Sequence, residues 1–215
     1  MTGDCYHCGQ RGHRGDLCPN REYKPVSKVH SQADESIFRI YREAVEHFGD
    51  GAVFVELGNF QGGSACYMAE LIKNSGKDIT LYCVDLWENM IDINVEGSIF
   101  FEFWNNVYNC GFEQIIKPIQ ADSSRAAALF EDGSVDFVYI DGDHSYKGAA
   151  RDILAWLPKL KADGWMGGHD YNQEVEKVVA DVFPEKPLVY PEGAKSFLFK
   201  EIKSLNRGVD YALEE

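Results

Sequence analysis

Residues 53–64 read VFVELGNFQGGS, and the order of residue types in that stretch sets the fold class. Val53, Phe54 and Val55 have the branched or aromatic bulk that suits a buried strand, and Gly58 breaks it. Gly62, Gly63 and Ser64 then open a helical segment. The resulting pattern, E-x-G-x-x-x-G-G-S from Glu56 to Ser64, lets backbone come close to a ligand and aims a helix N-terminus at a negative group. The dinucleotide fingerprint G-x-G-x-x-G is not met, because Asn59, Phe60 and Gln61 separate Gly58 from the next glycine. A plain glycine turn would look the same taken alone, so the flanking segments decide.

Helix and strand signals alternate around this turn, the pattern of a parallel sheet covered on both faces. Before it, DESIFRIYREAVEHFG (34–49) puts Ile37, Ile40, Ala44, Val45 and Phe48 on one helical stripe. After it come a helix from Ser64 closed by Gly76, a strand ITLYCVD (79–85), a helix over 98–109 and a strand IIKPIQAD (115–122). A short helix SRAAALF (124–130), a strand VDFVYIDGD (135–143) and a helix over 146–161 follow. Next are a β segment WMGGHD (165–170) and a helix over 173–183. KPLVY (186–190) and KSFLFKEI (195–202), joined by PEGA, read as an antiparallel hairpin.

Acids stand at the ends of successive strands. Asp85 is placed to accept the hydroxyls of a ribose, the role an acid takes after a dinucleotide loop. Asp122 and Ser123 can meet a base edge, but Asp122 is equally placed to cap the helix that follows, and both roles stand.

An α/β, doubly wound, Rossmann-like sheet of seven strands ending in a hairpin resembles the class I methyltransferase fold, over roughly residues 34–202. The resemblance implies S-adenosylmethionine as cofactor. Its carboxylate would lie at the turn of Glu56, Gly58, Asn59, Gly62, Gly63 and Ser64. Its ribose would face Asp85 and Leu86, and its adenine Trp87, Asp122 and Ser123, with Asp141 closing the site. The run IDGDHSY…GGHDY is similar to small-molecule and sugar O-methyltransferases and, more distantly, to the magnesium-dependent catechol type. In the metal-using members, the matching positions Asp141, His169 and Asp170 would hold a divalent cation such as magnesium, and His144 would take the acceptor's proton. A histidine at 169 favours hard magnesium less and leaves open a metal-free site in which His144 or His169 is the base. Simpler roles are a helix cap for His144 and a buried, bonded imidazole for His169.

The front of the chain differs. Cys5, Cys8, His13 and Cys18 follow C-x2-C-x4-H-x4-C, four ligands for tetrahedral zinc, with Gly9 and Gly12 where tight turns need them. This resembles the CCHC zinc knuckle of nucleic-acid-binding proteins, and implies base stacking on Tyr6 with phosphates on Arg11 and Arg14. A structural zinc clip is the plainer alternative. The expected organisation is a knuckle over 1–20, a linker over 21–33, a methyltransferase domain over 34–205 and a polar tail over 206–215.

Charge follows the same division. Residues 1–30 carry five Lys/Arg against three acids, a net of +2, which leaves −16 for the remainder of a chain at −14. A body that acidic repels a phosphate backbone, so single-stranded nucleic acid is expected only at the knuckle. No apolar run approaches the ~18 residues that span a bilayer, so no membrane partner is expected. Cysteines used as thiolate ligands suit a reducing cytosol, and Cys66, Cys83 and Cys110 fall in apolar stretches as buried thiols. The expected activity is O-methylation of a small-molecule or sugar hydroxyl, with the knuckle as a tether. The alternatives are a nucleic-acid methyltransferase and a non-catalytic cofactor-binding protein. A homo-oligomer is compatible with all three.

Overall fold

A computed structural model of the chain describes residues 35–88 and 98–202. The zinc-ligand motif, the linker and the polar tail lie outside the described residues.

Helix α1 (Glu35–His47) buries Ile37, Ile40, Tyr41, Ala44 and Val45, the stripe its sequence spacing dictates. Strand β1 (Ala52–Leu57) runs into the glycine turn and α2 (Gly63–Ser75). Gly76 ends α2 in the left-handed region, at φ 70°, its N–H returning to the Lys73 carbonyl. Then follow β2 (Ile79–Asp85), α3 (Ile99–Cys110), β3 (Ile116–Gln120), α4 (Ser123–Ala126), β4 (Val135–Ile140) and α5 (Tyr146–Trp156). The domain closes with β5 (Leu160–Gly168), α6 (Gln173–Val182), β6 (Leu188–Tyr190) and β7 (Ser196–Phe199).

The strands form one seven-stranded sheet in the order β3-β2-β1-β4-β5-β7-β6. The first five are parallel, whereas β7 runs antiparallel to both β5 and β6. The expected terminal hairpin is therefore present, with β7 inserted between β5 and β6. Strand order reverses between β1 and β4, so the carboxyl ends of those two strands open the crevice where ligands bind in such sheets.

Period-2 alternation sorts side chains to the two faces. Phe54, Leu81, Cys83, Phe137, Tyr139 and Trp165 pack with residues of α1, α2 and α3. Val55, Leu57, Val84, Val138, Ile140 and Met166 pack with residues of α4, α5 and α6. Cys66, Cys83 and Cys110 are all buried, as their apolar settings imply. Among the described residues no helix is long and apolar enough to cross a membrane.

One boundary differs from the sequence reading. The helix expected over 146–161 stops at Trp156; Leu157–Lys159 is a 3₁₀ turn holding Pro158, and β5 begins at Leu160 instead of Trp165. Leu160 pairs with Val135, and the register shifts before Phe137 meets Trp165. Lys161, half-buried and paired with Asp136, and the exposed Asp163 hide the strand in that irregular stretch from a hydrophobic-pattern reading.

A buried hydroxyl chain ties α1 to β7 and β4. Ser36 Oγ lies 2.7 Å from Ser196 Oγ, which lies 2.9 Å from the Tyr139 hydroxyl.

Among the described glycines, Gly58 has the least room for a side chain. It sits at φ 80°, and a Cβ there would stand 2.0 Å from the Asp141 carbonyl oxygen. Gly76 also has positive φ, but a Cβ there meets nothing within 4 Å. Urea unfolding should show Gly76→Ala losing about 1 to 2 kcal/mol from backbone strain alone. Gly58→Ala should lose about 3 kcal/mol or more, because β1 and β4 must separate. Equal losses would mean that the Gly58 contact is easily relieved.

Candidate active site

The strand register builds the site in rows. Glu56 pairs with Cys83 on β2 and with Tyr139 on β4, so these three side chains share a face. Two residues further along each strand, the same alternation brings Asp85, Gly58 and Asp141 to the carboxyl edge, with Glu56 one row beneath.

Asp85 fastens the glycine turn. Its Oδ2 accepts the N–H groups of Asn59 (2.7 Å) and Phe60 (2.8 Å), and its Oδ1 accepts that of Trp87 (2.7 Å). The Trp87 indole N–H in turn donates to the Phe60 carbonyl at 2.9 Å. Gly62 N–H closes the turn on the Asn59 carbonyl at 2.7 Å. Gly63 and Ser64 follow as the first residues of α2. Asp85 therefore has much of its acceptor capacity committed to the turn. The Trp87 ring, expected beside a nucleobase, is buried against Phe100 and Phe103, whereas Leu86 beside it is 44% exposed.

Glu56 is fully buried, and the Ser64 hydroxyl donates to its Oε1. Among the described residues its Oε2 has no hydrogen-bond partner, nor has either polar atom of the buried Asn59 amide. Burial pushes the Glu56 carboxyl up to about 8 against the opposing pull of the Ser64 hydrogen bond.

On the flank, Asp122 is the N-cap of α4: it accepts the Arg125 N–H (3.1 Å) and the Ser124 hydroxyl (2.7 Å). Desolvation pushes its carboxyl up, but these hydrogen bonds outweigh it and the net direction is down. Ser123 Oγ donates to Asp152 at 2.6 Å. Asp152 was not singled out by sequence reasoning, although it was detectable. It occupies the stripe Ala149, Asp152, Ile153 and Trp156 of α5, where an acid among apolar residues signals a buried, bonded carboxyl. Tyr41 gives no such signal: its ring fits the apolar stripe of α1, and only the fold brings its hydroxyl near Glu56.

On the other side, four side chains meet. Asp141 follows β4, and His169 and Asp170 follow β5, with the His169 N–H bonded to the Ile140 carbonyl at 2.9 Å. Asp170 adopts φ 44°, a left-handed conformation that Asp tolerates better than most residues. His144 precedes α5 and bridges the acids: Nε2 lies 3.2 Å from Asp141 Oδ1, and Nδ1 lies 3.2 Å from Asp170 Oδ2. His169 Nδ1 is 3.3 Å from Asp141 Oδ1 and 3.8 Å from Asp170 Oδ2, but its side chain is only 10% exposed against 36% for His144. The set whose ligand atoms all lie within 4.8 Å of one another is Asp141, His144 and Asp170, so the grouping takes in His144 where the sequence suggested His169. Asp143 turns away, its carboxylate accepting the Ser145 N–H at 2.9 Å.

The Asp141 hydrogen bond is the main cause that raises His144 above the usual imidazole range, against partial desolvation and with help from Asp170. Such an imidazole, with a carboxylate at each nitrogen, can carry a proton or be displaced by a cation that takes its place between the acids.

Residues 55–171, more than half of the chain, match the family model described as "Methyltransferase domain", and the chain belongs to that family. An uncharacterised protein of Acanthamoeba polyphaga mimivirus is 26% identical over 149 residues, covering 62% of each chain, so this chain spans about three-fifths of that relative. The fold is similar to that of a rRNA methylase from Streptococcus thermophilus, at TM-score 0.58 and 11% identity over 80% of this chain and 100% of that one. It is also similar to a SAM-dependent O-methyltransferase from Thermotoga maritima, at TM-score 0.56 and 12% identity over 78% of this chain and 65% of that one. At such identities the likeness concerns the Rossmann-like methyltransferase fold.

NMR titration of chelator-treated protein should find His144 above the ordinary ~6.5, and Asp141→Asn should bring it down towards that value. A raised histidine adds stability that is fully present below its unfolded pKa and lost as pH rises through the folded one. Wild type should therefore lose stability relative to Asp141→Asn on passing from mildly acidic to mildly alkaline pH. An unchanged His144 titration in the variant would show that the Asp141 contact does not govern it.

Proposed function

We propose that the chain is an S-adenosylmethionine-dependent methyltransferase acting on a hydroxyl of a small molecule or sugar. The observation that carries this reading is the meeting of His144 with Asp141 and Asp170 at the same sheet edge as the glycine turn. The orphaned Glu56 Oε2 and Asn59 amide, buried beside that turn, fit a ligand bearing hydrogen-bonding and cationic groups. Glu56, Gly58, Asn59, Gly62, Gly63, Ser64, Asp85 and Leu86 would hold it. S-Adenosylmethionine supplies an electrophilic methyl on a sulfonium. The protein's task is to align the acceptor oxygen and take its proton, and His144 is the accessible base for that.

Asp141, His144 and Asp170 also form a donor set that suits a divalent cation, with an imidazole favouring a borderline ion over magnesium. A cation held there would supply Lewis-acid chemistry, lowering the pKa of an acceptor hydroxyl. If instead His169 completes the ligand set, His144 is left as base. Chelator treatment followed by return of Mg, Mn or Co separates a metal-assisted site from a metal-free one.

A second reading, methylation of RNA, is favoured by the zinc-ligand motif Cys5, Cys8, His13 and Cys18. In the first reading the same motif binds zinc and tethers the enzyme to single-stranded RNA or another partner. A radiolabel transfer screen over sugars, catechols and short RNAs decides between the two. Label appearing in RNA alone would overturn the small-molecule reading.

Once an acceptor is found, His144→Ala should cut turnover by ~10²-fold or more with little change in cofactor affinity. Wild-type turnover would remove His144 as base. Asp85→Ala should weaken cofactor binding by about 1.5 to 3 kcal/mol or more, since the variant also releases the N–H groups of the turn. Calorimetry would read this directly. Removal of residues 1–30 should leave cofactor binding and small-acceptor turnover intact while abolishing RNA attachment. Loss of cofactor binding on truncation would overturn the tether.

A further inference from the structure

We propose that Glu56 is an uncharged carboxylic acid in the free protein and gives up its proton when the cofactor's cationic groups bind beside the glycine turn above it, so that binding exchanges one cation for another. The inference rests on the cofactor reading above and concerns the protonic state of that site.

Its basis is geometric. Glu56 is 0% exposed, one row beneath the edge; Ser64 Oγ donates to Oε1, the Tyr41 hydroxyl lies close enough to act on the carboxyl, and Oε2 meets no hydrogen-bond partner among the described residues. The polar and titratable groups that face it come from every packed element: Tyr41 from α1, Ser64 and Cys66 from α2, Cys83 and Asp85 from β2, Tyr139 on β4 and Asp141 beyond it. Each of them is neutral or acidic. A carboxylate in that position would face desolvation and two like charges with no compensating cation, so the acid keeps its proton. Burial accordingly pushes it up to about 8.

A cation brought to the edge reverses this balance. Diagonal neighbours on adjacent strands stand about 7 Å apart, and in a protein interior a unit charge at that range is enough to carry such a group back through neutral pH. S-Adenosylmethionine carries a sulfonium and an ammonium against one carboxylate. S-Adenosylhomocysteine lacks the sulfonium and should release less. The step balances: the carboxyl O–H breaks, the proton passes to buffer, and the carboxylate remains paired with the ligand's charge. Affinity then rises with pH, by up to tenfold per unit between the bound and free pKa values, and levels off above about 8.

The test is calorimetry of the chelator-treated full chain at pH 7 in buffers of different ionisation enthalpy. The slope of heat against that enthalpy counts protons. Wild type should release up to one proton with S-adenosylmethionine and fewer with S-adenosylhomocysteine. Glu56→Gln, which keeps shape and removes the acid, should release correspondingly fewer with each ligand; subtraction removes contributions from the ligand amine and from His144. Infrared difference spectra of wild type alone give a second reading, since the C=O stretch of a protonated carboxyl should vanish on ligand addition. Equal proton counts in wild type and variant, or a carboxyl band that persists, would overturn the proposal. No heat with either ligand, together with no detectable complex, would instead overturn the cofactor reading on which it stands.

Discussion

The candidate site depends on one carboxylate holding a loop from another strand. Asp85 ends β2, yet its oxygens are bonded to N–H groups of Asn59 and Phe60, which follow β1. Those amides would otherwise be left without partners in a turn that has no ladder of its own, and an unmet buried donor costs about 1 to 3 kcal/mol. Parallel pairing of β1 with β2 supplies the reach, since Leu57 stands opposite Val84 and the next residues leave the sheet together. With the turn fixed, Gly58 is pressed against the Asp141 carbonyl, α2 starts in a set direction, and Phe103 of α3 closes over Gly62. Backbone shape at the crevice is thus controlled by side-chain chemistry from a neighbouring strand.

Concentrating acids at one edge has an electrostatic cost that the fold handles in three ways. Asp85 is surrounded by N–H dipoles. Asp141 and Asp170 share His144. Glu56, beyond the reach of either device, is driven towards its neutral form. A site prepared in this way is primed for positive charge, which suits both a sulfonium donor and a divalent cation.

Much of this architecture was legible because β1, β2 and β4 are short, largely apolar runs that end in, or run directly into, an acid or a glycine. ITLYCVD was bounded to the residue, and Glu56, Gly58, Asp85 and Asp141 fall at strand ends as their positions in those runs implied. What escaped was decided by three-dimensional neighbours. Asp122 had two local roles open to it, and the structure fills the cap. Trp87 follows an acid as a nucleobase-flanking aromatic would, but Phe100 and Phe103 draw its ring into the core. His144 and His169 look alike in sequence; only the fold makes one accessible and nearly buries the other. The start of β5 was hidden because Lys161 and Asp163 interrupt its apolar pattern and its pairing there is irregular.

The hydroxyl chain from Ser36 through Ser196 to Tyr139 has a consequence for synthesis. Ser36 lies near the start of α1 and Ser196 lies on β7, the strand through which β6 joins the sheet. Until β7 has left the ribosome, the Ser36–Ser196 bond cannot form and the edge of β5 that β7 covers stays open. The nascent domain therefore emerges with an unsealed sheet and closes in a late step, the last strand acting as the bolt. An exposed parallel edge during that interval is a surface on which chaperones can act.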